Sequence, residues 1–114
     1  MFVGFLPAIS PEALKAKNGD LREMRIHRRT DLTLDDLARW LNPIVGGWIG
    51  YYGRYYRSAL LILLRRVNYY LRRWAGKKYR RLQNEDSFIA WWDGLLKRQP
   101  GLFAHWRSTR SYAY

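Results

Sequence analysis

The sequence predicts a small all-α fold: a bundle of about four to five helices, one of them long and basic, behind a short extended N-terminal segment. Three observations lead there. Apolar residues recur at helical spacing in successive stretches separated by cap and turn signals. No stretch other than residues 2–6 reads as a strand. The 114 residues, 48% hydrophobic and 17% aromatic, suffice for one modest core.

Residues 1–9 are an extended lead-in, residues 10–106 the helical domain and residues 107–114 a loose tail without periodicity. Ser10-Pro11 starts the first helix, serine as cap and proline at the first helical position. Leu14, Leu21 and Met24 carry its apolar side to about Arg28, and Asn18-Gly19 is a defect that kinks or splits it, at a cost of about 1 kcal/mol. After the connection "RRTDLT", Thr33 and Asp36 form a capping box with aspartate in place of glutamate. Leu34, Leu37, Ala38 and Leu41 then turn inward on a short helix predicted to stop before Pro43. Asn42-Pro43 restarts a helix. In this one Gly46, Gly50 and Gly53 share a narrow stripe, and Trp48, Tyr52 and Tyr55 share the next. Glycine is costly in a helix unless something must come close to the backbone. One explanation is another helix.

From Tyr56 to about Leu82 the pattern predicts one long helix. At about 100° per residue, Leu60, Leu63, Leu64, Val67, Leu71, Trp74 and Leu82 gather on one face. Arg65, Arg66, Arg72, Arg73, Lys77 and Arg80 gather on the opposite one, and no acid lies between Arg54 and Arg81 to neutralise them. "NEDS" at 84–87 turns into a last helix marked by Phe88, Trp91, Trp92, Leu95 and Leu96, which ends before Pro100-Gly101. "GLFAHW" then folds back as an aromatic plug.

Charge narrows the partner. Twenty-one Lys and Arg face nine acids, a formal charge of +12. Most of the bases are arginine, whose planar fork suits phosphate. The partner is therefore a polyanion, nucleic acid first, with an anionic membrane surface as competitor. The longest apolar run, Ala59 to Leu64, is far too short to span a bilayer, and the apolar face of residues 60–82 is needed for the core, so no membrane partner is expected. A row of like charges destabilises a lone helix, and an external anion explains its retention. The second explanation of the glycine stripe, after another helix, is an RNA backbone, with tyrosine hydroxyls on phosphate.

Catalytic chemistry is missing. There is no cysteine, which excludes disulfides and thiolate sites and points mildly to a reducing compartment. His27 and His105 stand far apart without a ligand set, and Asp35-Asp36 is explained by the helix dipole. No phosphate-binding glycine loop, nucleophile elbow or metal-carboxylate motif occurs, so no catalytic residue, metal or cofactor is expected.

Several segments together resemble the maturase-specific domain of group II intron reverse transcriptases, also called domain X. They are "GFLPAIS" (4–10), "DLTLDDLARWLNP" (31–43), "GWIGYYGRYYRSAL" (47–60), "LRRVNYYLRRWAGKKYRRL" (64–82) and "PGLFAHW" (100–106), in the family's order. The resemblance implies a non-catalytic, helical thumb that binds structured intron RNA to assist splicing. It also implies a grip on an RNA/DNA template-primer and a place beside a reverse-transcriptase palm, in the bacterial cytoplasm or in an organellar matrix or stroma. Its functional core would fall on Gly47, Trp48, Tyr51, Tyr52, Gly53, Arg54 and Arg57. The basic stretch adds Arg65, Arg66, Arg72, Arg73, Lys77, Lys78, Arg80 and Arg81. Gly46, Gly50 and Ala75-Gly76 depart from the family's usual basic or polar residues, and Asn18-Gly19 interrupts a helix usually continuous. Enzymes of this kind are much longer and carry a polymerase aspartate motif absent here. The resemblance thus implies a C-terminal piece: an RNA-binding domain, a module docking on a separate palm, or a truncated remnant.

Overall fold

The computed structural model describes residues 11–54 and 56–107. The extended segment 1–9, the Ser10 cap, the Leu14 side chain, Tyr55 and the tail beyond Arg107 fall outside what is described. Four α-helices follow in order: α1 (Pro11–Glu23), α2 (Leu34–Tyr52), α3 (Arg57–Lys78) and α4 (Glu85–Arg98). Three 3-10 turns, at Ile26–Arg28, Arg80–Gln83 and Ala104–Arg107, join or follow them. The all-α class holds.

α3 is the axis on which the other elements pack. Leu60, Leu63, Leu64, Val67, Leu71, Trp74 and Ala75 form its buried face. The same core takes in Leu21 and Ile26 from the first segment, Leu37, Leu41, Val45, Trp48 and Tyr52 from α2, and Phe88, Trp92 and Leu95 from α4. Each fully buried aliphatic or aromatic side chain contributes about 1.5–3 kcal/mol.

α1 runs through Asn18-Gly19 without a break, since only propensity opposes it there. It ends instead at Glu23, and Arg25 takes a left-handed conformation (φ 51°, ψ 47°) that redirects the chain. That turn delivers Ile26 to the core with no exposed surface. The Thr33–Asp36 capping box forms as expected, the Asp36 N–H donating to Thr33 Oγ1 at 3.1 Å and the Thr33 N–H to Asp36 Oδ2 at 3.3 Å.

Three further expectations are corrected. α2 does not stop before Pro43; it continues through it to Tyr52. Proline costs a helix interior about 3 kcal/mol, but Leu37, Leu41, Val45, Trp48 and Tyr52 stay on one buried face only if the helix stays in register across it. Nor does Asn42 cap a second helix. Its amide nitrogen donates to Leu102 O at 2.9 Å and its Oδ1 accepts from the Ala104 N–H at 2.8 Å, clamping the C-terminal segment to α2. The long helix, finally, ends at Lys78 rather than Leu82. The chain doubles back there over Gly76, and Gln83 Nε2 donates to Gly76 O at 3.2 Å. Leu82 still reaches the core, from the 3-10 turn.

The aromatic plug forms. Phe103, His105 and Trp106 are buried, and Trp106 lies 5.0 Å centroid to centroid from both Trp92 and Phe103. His105 Nε2 sits 2.6 Å from Oδ1 of the buried Asn68 on α3, which makes that nitrogen the donor. Burial pushes the His105 pKa down from 6.5 to about 3, so the ring is neutral at physiological pH.

Candidate nucleic-acid interface

The outer face of α3 carries only part of the basic stretch singled out from the sequence, and not as one uniform row. Arg65, Arg66, Arg73 and Lys77 are exposed there. At about 100° per residue Arg66, Arg73 and Lys77 fall within about 40° of one another, and Arg65 lies on the other side of Tyr69. Ile62, Arg65, Arg66, Tyr69, Tyr70 and Arg73 line one open hollow along this face. Tyr69 is 50% and Ile62 45% exposed within it.

Arg72 leaves the row. Its guanidinium lies 4.5 Å from the centre of the Phe88 ring and Nη1 is 4.0 Å from Glu85 Oε1, so it bridges α3 to the start of α4. Its side chain is only 21% exposed. Lys78 is drawn in as well: Nζ donates to Thr30 O at 2.8 Å and sits 5.7 Å from the Trp74 ring centre. One turn earlier, Trp74 Nε1 donates to Arg29 O at 2.8 Å. Together these two donors satisfy carbonyls of the loop before α2, a structural use of the helix end.

The remaining residues separate by element. Arg80 and Arg81 are exposed on the 3-10 turn, beyond the end of α3. Arg57 is exposed at the first turn of α3, roughly 24 Å along the axis from Arg73. Arg54 is exposed between α2 and α3. Trp48 and Tyr52 are 9% and 7% exposed and belong to the core; a base cannot stack on them without opening it. Tyr51, on the other side of α2, is 75% exposed. Among the described residues, no atom from elsewhere in the fold comes within 4 Å of where a Cβ would stand at Gly46, Gly47 or Gly50, so no neighbouring helix of this chain accounts for those glycines. Gly53 caps α2, its N–H donating to Ile49 O at 2.9 Å.

Sequence reasoning missed two contributions to this face. Tyr69 and Ile62 lie between the arginine flanks, a position the helical wheel already contained but which attention to charge passed over. Arg25 and Arg28 arrive from the 3-10 turn after α1, beside His27. The His27 ring stacks on Tyr70 at 5.7 Å and 26°. Partial burial, then the positive charges of Arg73, Arg28, Lys77 and Arg25, hold its pKa below the ordinary histidine value. The left-handed turn at Arg25 is what brings these bases to α3, and no periodicity announces it.

Among the described residues no group of three or more His, Cys, Asp or Glu side chains could hold a metal ion, and no helix is long and apolar enough to cross a membrane. The arrangement is a helical scaffold with a basic, aromatic-containing outer face. A family model described as "Group II intron, maturase-specific domain" matches residues 14–91, the greater part of the chain. The protein belongs to that family, and its role is maturase-related. The match takes in most of α1, all of α2 and α3 and the first half of α4; the segments at 4–10 and 100–106 lie outside it. No curated protein and no solved structure matches the chain.

Proposed function

We propose that this domain binds structured group II intron RNA without catalysis, assisting the intron's folding for splicing, and contacts an RNA/DNA template-primer when a polymerase accompanies it. The observation that carries this reading is the cluster of Arg66, Arg73 and Lys77 on α3, reinforced by Arg25 and Arg28 around His27. These like charges, with no acid among them on α3, create a positive potential for which phosphate is the complement. Membership of a group II intron maturase family supports RNA as the polyanion.

Binding of a structured group II intron RNA to the 114-residue chain, measured across salt concentration, tests it. Affinity should fall steeply with salt, because bound phosphates release counterions. A flat salt dependence, or no preference for the intron over duplex DNA, would refute the proposal.

One observation favours a second reading, docking on a separate reverse-transcriptase palm. Tyr51 projects from α2 beside the uncovered backbone at Gly47 and Gly50. Co-purification with a reverse-transcriptase fragment that Tyr51→Ala abolishes would establish it; RNA binding alone would not.

A further inference from the structure

The hollow on α3 is more than a phosphate track. A surface that reads only duplex phosphates needs cations and hydrogen-bond donors, to which a tyrosine hydroxyl can add; it gains nothing from leaving the face of a phenol ring and a branched aliphatic side chain half exposed among them. Here Tyr69 and Ile62 occupy the middle of the basic face, one helical repeat of seven residues apart, with Arg65 on one flank and Arg66 and Arg73 on the other. The Tyr69 ring is held rather than loose. Tyr70 meets it edge to face at 5.4 Å and 72°, and Tyr70 is itself stacked on His27. The Arg73 guanidinium lies 5.8 Å from the Tyr69 ring centre.

We infer that this hollow accepts an unpaired nucleotide of an RNA strand, its base stacked on Tyr69 and against Ile62, its flanking phosphates held by Arg66 and Arg73. The inference rests on the proposed RNA binding and adds its substrate class: single-stranded segments, not A-form duplex alone. In a duplex the base faces are covered by their neighbours, and the grooves offer riboses and edges; only a splayed base presents a face to an aromatic ring. Charge complementarity selects nucleic acid over an apolar protein partner, because guanidiniums border the ring on both sides. Every base has a π-face, so the subsite tolerates sequence and discriminates by strandedness.

The test compares a ten-nucleotide single-stranded RNA with a duplex of the same length at fixed salt, using the whole chain. Tyr69→Ala should weaken the single strand about tenfold or more and the duplex less than about twofold, while Tyr69→Phe retains both affinities. An RNA with 2-aminopurine at its centre should lose fluorescence on binding to the parent chain and keep it with Tyr69→Ala. Melting temperatures of the variants check that the fold is intact, as expected for a half-exposed ring. Equal losses on both RNAs, or none, would overturn the inference while leaving RNA binding in place. Failure of the parent chain to bind either RNA would remove the RNA reading and this inference with it. If Tyr69→Ala spares both affinities and instead breaks association with a reverse-transcriptase fragment, the hollow is a protein-docking surface.

Discussion

Two flanks of α3 carry the same residue types and use them differently. Arg73 points outward into the hollow beside Tyr69, whereas Arg72, its neighbour in sequence, lies over Phe88 and reaches Glu85. Lys77 is exposed, whereas Lys78 donates to the loop carbonyl of Thr30. Successive helical residues are about 100° apart, enough to move a long side chain from solvent to the shoulder of a neighbouring element. A basic run therefore overstates the charge offered to a partner. Part of it serves as amphipathic packing, in which the aliphatic stem and the guanidinium plane cover apolar surface.

The comparison can be broken at several points, beginning where the effect is largest. Trp74→Ala removes a ring that is 1% exposed together with its bond to Arg29 O; it should destabilise the domain by about 3–5 kcal/mol, read by chemical denaturation. If the loss is below about 1 kcal/mol, α3 is not the axis of the core. On the outer flank, replacing Arg66, Arg73 and Lys77 together with Gln should lower RNA affinity by about a hundredfold and reduce the salt slope by about three, with the melting temperature unchanged. The contrasting variant, Arg72→Gln, should cost stability by about 1 kcal/mol through the lost Phe88 and Glu85 contacts and change RNA affinity less than about threefold. Reversal of these two results would mean that the flanks have been assigned the wrong way round.

Acid provides a further probe of the interior. The folded-state pKa of His105 is depressed to about 3, whereas the unfolded chain binds the proton near 6.5. Its contribution to stability is complete above about pH 6.5 and is lost as pH falls from there toward 3, with a slope of up to about 1.4 kcal/mol per pH unit. Denaturation midpoints measured from pH 7 to pH 4 should show this decline, and His105→Gln should flatten it. The smallest effect is expected on α2: Gly50→Ala should stabilise the helix by about 0.5–1 kcal/mol, since a methyl group meets nothing there and the backbone does not need a positive φ. A destabilised variant would show that the glycine has a packing role within this chain.

Much of the architecture was legible in the residues. The capping box at Thr33, the Asn84 start of α4 (whose Oδ1 accepts from the Ser87 N–H at 3.0 Å), the apolar face of α3 and the folding back of the C-terminal aromatics all rest on local chemistry or on a period of 3.6. Pro43 misled because a local rule was set above the wider pattern: the apolar stripe of α2 passes through it in phase. Asn42 misled in a similar way, since a good cap residue is also a good two-sided clamp. In the site, the outward placement of Arg66, Arg73 and Lys77 follows from the wheel, and so does that of Tyr69, which charge counting overlooked. The burial of Trp48 and Tyr52 was implicit in the same stripe that holds Leu41 and Val45.

By itself the sequence determined the helical class, the inward face of each helix, the excess of arginine over acid and the absence of cysteine chemistry, because these depend on composition and on positions a few residues apart. The tertiary structure decided which cations remain outside. Arg72 and Lys78 turn toward partners 13 and 48 residues away in sequence, and Arg25 and Arg28 join α3 only because the chain reverses at a left-handed residue. Charge periodicity has no knowledge of such long-range neighbours, and whether a guanidinium meets solvent, a ring or a carboxylate is settled only when separate elements pack.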